Sequence, residues 1–214
     1  MKPYLIEGLD CSGKKVIAKQ VATMLEGEGI STVTVIGPVC SSVLRAFDKM
    51  LVNSFYIKPG SIRDKIRKST YAYEPLLDGI LYRESQDFMI KISSHYRAWA
   101  RAIVESDYFM IRKFQNHVDR HLKYSGAVLF WTDFKERIVR HRADVKEGKT
   151  NKIEDKRFFG HNKEFFELWH TELRKLMEAY IGSVVFIDTT HADIYEISSM
   201  VFNHIQECTK YARC

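Results

Sequence analysis

The sequence predicts an α/β domain in which a parallel sheet is covered by helices on both faces, and three observations lead there. Short apolar or β-branched runs alternate with stretches of helical periodicity along the whole chain, the pattern that strand-helix-strand units leave behind. The first strand passes through a glycine-containing loop directly into a helix. A length of 214 residues with 45% hydrophobic side chains suits one domain with an ample core.

Tyr4-Leu5-Ile6-Glu7 reads as a short strand ending at Gly8, and from Lys14 to about Leu25 the residues Ile17, Val21, Met24 and Leu25 recur at helical spacing. Residues 32–36 are rich in β-branched side chains and run into Gly37-Pro38, which predicts a second strand stopped by a turn. Residues 43–51 are expected to be helical and residues 53–60 to be loop. From about residue 76 to 105, Phe88, Ile92, Tyr96, Trp99 and Ile103 step by three or four, which predicts one long core-facing helix. Residues 108–111 then read as a buried strand, and residues 127–131 as another. Asp133 with Glu136 makes an acidic capping box for a helix through Arg142. Residues 184–187 give the last strand, and Ile194, Ile197, Val201, Ile205 and Cys208 the closing helix.

Between Ala143 and Lys163, lysine, glycine and asparagine crowd a stretch without periodicity, so a basic lid over about residues 143–163 is expected. One domain spanning residues 1–214 follows, with no linker, internal repeat or low-complexity segment. The cysteines, Cys11, Cys40, Cys208 and Cys214, form no Cys-x-x-Cys pair and read as reduced thiols, so no zinc site is implied. The histidines show no metal-ligand spacing either. The first residues are too few and too charged for a signal peptide or membrane anchor. A cytoplasmic protein without membrane contact is expected. The formal charge of +6 favours anionic partners such as nucleotides, polynucleotides or acidic lipid surfaces, and charge alone does not choose between them.

Gly8-x-x-x-x-Gly13-Lys14 follows a strand and opens a helix. That is the context a Walker A loop needs, since its backbone N–H groups wrap a phosphate at the positive end of a helix. Gly8, Cys11, Ser12, Gly13 and Lys14 are the candidate contacts, with Lys14 bridging the β- and γ-phosphates of a nucleoside triphosphate. The pattern breaks at Lys15, which stands where serine or threonine ligates Mg²⁺. An ammonium cannot ligate a metal cation. Either Lys15 supplies positive charge in place of the ion, or nucleotide binding persists without efficient catalysis. Cys11 lies at the loop, where a helix N-terminus is expected to lower a thiol pKa.

Ile6-Glu7-Gly8-Leu9-Asp10-Cys11-Ser12-Gly13-Lys14 resembles the start of thymidylate kinases, which typically read Phe-Glu-Gly-Leu-Asp-Gly-Ser-Gly-Lys-Ser-Thr. Weaker landmarks follow in the family's order over nearly the whole chain. The resemblance implies a three-layer P-loop NTPase fold with a basic lid, ATP as phosphate donor and a nucleoside monophosphate as acceptor. It also implies a homodimer formed through long helices, among them the one bearing Trp99. Val43-Leu44-Arg45 is similar to the family's Ala-Leu-Arg and makes Arg45 the candidate for the acceptor phosphate. Asp10 would orient the acceptor sugar, and Phe88 would stack on its base. Asn151-Lys152-Ile153-Glu154 sits where the family's lid carries Asp-Arg-x-Glu, so Lys152 would replace an arginine that stabilises the transferring phosphoryl group, and Lys149 and Arg157 would close with it. Phe186-Ile187-Asp188-Thr189 resembles the final strand and the turn beside the adenine, which assigns Asp188 and Thr189 to ATP.

The chain also departs from the family. Ile36-Gly37-Pro38 stands for Arg-Glu-Pro, and only Ile90-Lys91 or their neighbours are available for the helical Asp-Arg that faces the substrate base. The family's Asp-Arg-Tyr after the third strand aligns with Arg112-Lys113-Phe114 if residues 108–111 are that strand. A second frame uses Ser106-Asp107-Tyr108. In the preferred first frame, both groups near the metal have become cationic, Lys15 and Arg112, which makes Mg²⁺ doubtful as a cofactor. A phosphotransferase is thus the leading expectation. A catalytically silent homologue, or a polynucleotide-binding protein using Phe158, Phe159, Phe165, Phe166 and Trp169, are the alternatives.

Overall fold

The computed structural model describes residues 1–37, 62–83, 87–148 and 162–211. In chain order its elements are β1 (Tyr4–Gly8), α1 (Lys14–Gly27), β2 (Thr32–Ile36), α2 (Ile62–Leu81), β3 (Phe88–Ile92), α3 (His95–Val104) and α4 (Tyr108–Gln115). A 3-10 turn at Val118–Arg120 precedes β4 (Gly126–Trp131), α5 (Phe134–Lys146), α6 (Lys163–Tyr180), β5 (Val184–Asp188) and α7 (Ile194–Tyr211). All the strand pairings are parallel, in the order β2-β3-β1-β4-β5.

The alternation of side chains along the strands divides the core in two. Tyr4, Ile6, Phe88, Ile90, Ile92, Val128 and Phe130 face α1 and α7, where they meet Ile17, Val21, Leu25, Ile197, Val201 and Ile205. Leu5, Ala127 and Leu129 face the other way, onto Trp99, Phe114, Phe166, Trp169 and Leu173 from α3, α4 and α6. The result is three layers, helix, sheet, helix. Trp99 and Phe114, both at 1% exposure or less, stack with ring centroids 5.7 Å apart. Burial of each such side chain contributes about 2–3 kcal/mol.

The sheet's order sends the chain from β1 outward to β2, back to β3 and then across to β4 on the far side of β1. That reversal is a topological switch point, and ligands of open α/β sheets bind at the carboxyl ends of the strands there. The loop after β1 occupies this position.

Three sequence-based expectations are corrected. The long helix over about 76–105 is three pieces: the end of α2, the strand β3 and the helix α3. Phe88 and Ile92 fit an i, i+4 pattern, yet a strand buried on both faces carries apolar residues at every spacing, so period alone misleads. Ser93, at φ 63°, breaks the chain, and Ser94 caps α3 by accepting from Tyr96 N. Residues 108–111 are the first turn of α4 rather than a strand, capped by Asp107, whose carboxylate accepts from Met110 N at 3.2 Å. Residues 143–146 of the expected lid close α5, Gly148 follows at φ 71°, and Asn162 caps α6. The expected helix 43–51, the loop 53–60 and the rest of the lid lie outside the described residues. Among the described residues, no helix is long and apolar enough to cross a membrane.

Candidate functional site

The loop between β1 and α1 is shaped by residues in left-handed backbone. Gly8 lies at φ 153°, and a Cβ there would meet Ser12 Oγ at 2.7 Å and the Phe130 carbonyl oxygen at 3.0 Å. Gly13, at φ 81°, turns the chain into α1 and accepts from Val16 N and Ile17 N. Cys11 adopts φ 62°. A side chain in this region costs about 1–2 kcal/mol.

Lys14, the first residue of α1, is 92% buried and folded back over the loop. Its Nζ donates to the carbonyls of Gly8 and Leu9, both at 2.7 Å, and to Ser12 Oγ at 3.2 Å. These use all three ammonium protons. Burial, reinforced by the positive Arg97, holds the Lys14 pKa down to about 8, against the opposing pull of Asp10 and Glu7.

Two arginines stand beside the same loop. Arg97, on the first turn of α3, pairs with Asp10 at 2.6 Å between Nη1 and Oδ1. Arg137, on the first turns of α5 and only 3% exposed, donates from Nε to the Asp10 carbonyl at 2.9 Å and covers the Phe166 ring at 4.6 Å. Burial lowers its pKa to about 10. Partial desolvation opposes ionisation of Asp10, but Arg97, Lys14 and Arg137 outweigh it and hold the carboxyl below its usual range. Burial pushes the Cys11 thiol up to about 11, helped by the negative Asp10 and Asp144. The direction is opposite to the lowering expected at a helix N-terminus, and burial is its largest cause.

Neighbouring strand ends complete the site. Buried Thr189 shares a 2.7 Å hydroxyl-hydroxyl hydrogen bond with Thr132 and donates to the Trp131 carbonyl at 3.0 Å. Asp188 Oδ1 accepts from Thr190 N at 2.8 Å and Thr190 Oγ at 2.6 Å. Arg140 on α5 donates to the carbonyls of Thr189 and Thr190 at 2.7 and 3.1 Å, fastening this turn to α5. His170 packs edge-on against Trp131, close to Leu9, Ser12, Thr132 and Arg137.

Gly8, Asp10, Cys11, Ser12, Gly13 and Lys14 therefore come together, with Thr189 linked to Ser12 by a weak 3.4 Å hydrogen bond. Lys15 is exposed on the first turn of α1. Phe88 is not a stacking surface, since at 1% exposure it belongs to the core facing α1 and α7. Ile90 and Lys91 lie in β3 rather than on a base-facing helix. Arg112 is exposed on α4, which packs on α2 and α3. Its alignment required residues 108–111 to be the third strand, whereas the third strand ends at Ile92 and is followed by Ser93-Ser94-His95. The second frame, Ser106-Asp107-Tyr108, likewise lies at the start of α4. Phe166 and Trp169 are buried against α3 and α5 rather than presented to a polynucleotide, and Trp99 is inside the core. Arg45, Lys149, Lys152 and Arg157, with Phe158 and Phe159, lie outside the described residues.

Sequence reading missed Arg97, Arg137 and Arg140. A signal was available: Arg97 and Arg137 occupy the first turns of helices that directly follow β3 and β4, the strands flanking β1. A scan of the chain against models of known families finds no match, and neither does a search among curated proteins.

Proposed function

We propose that the chain is a nucleotide phosphotransferase resembling thymidylate kinase, which moves the γ-phosphate of ATP to a (deoxy)nucleoside monophosphate or a modified nucleotide. The observation that supports this most is the placement of cations. Lys14, Arg97 and Arg137 stand on the first turns of α1, α3 and α5, the three helices leaving adjacent parallel strands. Helix N-termini repel cations, at a cost of about 0.3–1 kcal/mol each. A local conflict repeated three times at the carboxyl ends of the three central strands marks a functional site, and a phosphate chain placed among these groups turns repulsion into attraction.

In this reading the backbone N–H groups of residues 8–14 wrap the donor phosphates, and Lys14 exchanges a loop carbonyl for a phosphate oxygen. Arg97 and Arg137 meet charge on the transferring group, and the turn at Asp188-Thr189, held by Arg140, borders the base. The resemblance assigns the acceptor phosphate to Arg45 and a lid charge to Lys152, both outside the described residues. Asp10 is committed to Arg97, so it reaches an acceptor only when that pair opens.

The test is incubation of the full chain with γ-labelled ATP and a panel of nucleoside monophosphates. A labelled nucleoside diphosphate supports the proposal. ATP binding with no transfer to any acceptor replaces it with a silent nucleotide-binding homologue, the reading favoured by Lys15 and by the saturated hydrogen bonding of Lys14.

A further inference from the structure

Most phosphate loops receive their nucleotide with a divalent cation that a loop hydroxyl and a nearby carboxylate help to hold. The groups around this loop do not fit such an ion. At the hydroxyl's position stands Lys15, an exposed ammonium. Glu7 commits Oε1 to Gly8 N and Oε2 to the backbone and hydroxyl of Ser94. Asp133 caps α5 through Lys135 N and Glu136 N, and Asp188 is committed to Thr190. The hydroxyl of Ser12 accepts from Lys14, and those of Thr132 and Thr189 bond each other. Asp144 on α5 reaches the loop through its charge on Cys11. Among the described residues no group of three or more His, Cys, Asp or Glu side chains is arranged to hold a metal ion.

Positive charge, by contrast, is concentrated. Arg97 pairs with the Asp10 carboxylate at 2.6 Å, Arg137 donates to the Asp10 backbone carbonyl at 2.9 Å, and the charges of Arg137 and the buried Lys14 ammonium act on that carboxylate through their field. Lys15 adds a fourth cation on the same helix turn as Lys14. Asp10 is the carboxylate these groups share, and its side chain is 58% exposed at the loop's outer surface, where an incoming anion can compete with it for Arg97.

Resting on the reading of this loop as the nucleotide's phosphate site, we propose that it takes the polyphosphate without a divalent cation. Lys14, Lys15, Arg97 and Arg137 supply the charge, and the Asp10 carboxylate is the internal anion that the phosphate displaces from Arg97. The substrate class is the metal-free polyphosphate ester. This assigns Asp10 a role opposite to that of a metal-holding carboxylate, because removing its charge strengthens anion binding instead of weakening it.

The experiment is calorimetric titration of inorganic tripolyphosphate into the full chain at pH 7, in EDTA and in excess Mg²⁺, for the unaltered protein, Asp10→Asn and Arg97→Gln. Both side chains are partly exposed, and circular dichroism checks that each variant is folded. Binding in EDTA at least as tight as in Mg²⁺ is expected. Asp10→Asn is expected to tighten it by about twofold to fivefold and Arg97→Gln to weaken it by a similar factor, the range for one partly screened charge contact. Binding that requires Mg²⁺, or that weakens in Asp10→Asn, overturns the inference and leaves the loop's phosphate role standing. Failure of both tripolyphosphate and ATP to bind in either buffer overturns that role as well.

Discussion

Glu7 and Ser94 are joined by two short hydrogen bonds, from Ser94 N at 2.6 Å and Ser94 Oγ at 2.7 Å, both to Glu7 Oε2. The other carboxylate oxygen accepts from Gly8 N at 2.9 Å. The last acidic residue of β1 thereby ties the root of the loop to the N-cap of α3, the helix that carries Arg97. Glu7 is fully buried, and its bond to Gly8 N lies away from water, while the two to half-buried Ser94 lie closer to the surface.

Glu7→Gln places an amide N–H against a backbone donor in that buried position, which is expected to cost about 1–3 kcal/mol. Ser94→Ala removes one hydroxyl bond and the side-chain cap, about 1 kcal/mol. Urea titration of the two variants checks the order. A Glu7→Gln protein as stable as the original contradicts the assigned role.

Cys11 combines a left-handed backbone with a thiol pushed up to about 11 by burial and by Asp10. At pH 7.5 its thiolate fraction falls on the order of a hundredfold below that of an ordinary cysteine, and iodoacetamide labelling is expected to slow by a similar factor. In Cys11→Gly, relief of about 1 kcal/mol of strain offsets the entropy of glycine, so stability stays within roughly 0.5 kcal/mol. Cys11→Val, β-branched at positive φ, is expected to destabilise by about 1–2 kcal/mol. Thermal melts of the two variants distinguish these outcomes.

Acid sensitivity follows from two buried imidazoles. His95 and His121 meet edge to face with centroids 4.5 Å apart, beside Phe114 and Tyr96. Burial, with Lys123 and His117 adding to it and Asp119 opposing, lowers His121 to about 4. Burial, with His121, Lys91 and Lys123, holds His95 well below its ordinary value. In the unfolded chain both protonate near pH 6.5. Unfolding therefore takes up protons below that pH, and stability is lost as pH falls from about 6.5 toward 4, by about 2 kcal/mol for His121. His121→Phe is expected to flatten the stability profile in this window. An unchanged slope in urea titrations between pH 7 and 4.5 contradicts the prediction.

Lys14 makes phosphate binding pH-dependent at the alkaline end. In the free protein burial and Arg97 hold it down to about 8, while a phosphate at Nζ raises it again. Binding above pH 8 then takes up a proton, so affinity is fully present below pH 8 and falls by up to about tenfold per unit above it. ATP titrations from pH 7 to 9.5 measure this. Lys14→Arg, which stays charged throughout, is expected to lose that dependence.

Much of the fold was legible because α1, α7 and the strands β1, β2, β4 and β5 each show their own period or are bounded by glycine. The boundary of β3 was not legible. Phe88, Ile92, Tyr96 and Trp99 keep a helical step across a strand, a left-handed Ser93 and a capped helix, and only the Ser93-Ser94 pair marks the break. With β3 taken as helix, residues 108–111 stand as the third strand and Arg112 falls at the motif's aspartate. At the site, the loop itself was local in sequence and therefore readable. Arg97 and Arg137 lie 87 and 127 residues from Asp10, and only the parallel order of β3, β1 and β4 brings them to it.

The most direct test of the loop's phosphate role is the equilibrium affinity for ATP of the full chain and of Lys14→Ala. Saturable binding is expected, weakening by about tenfold to a hundredfold in Lys14→Ala, the worth of one charge-assisted contact in a buried setting. Equal affinity in the two proteins, or no ATP binding by the unaltered chain, contradicts it.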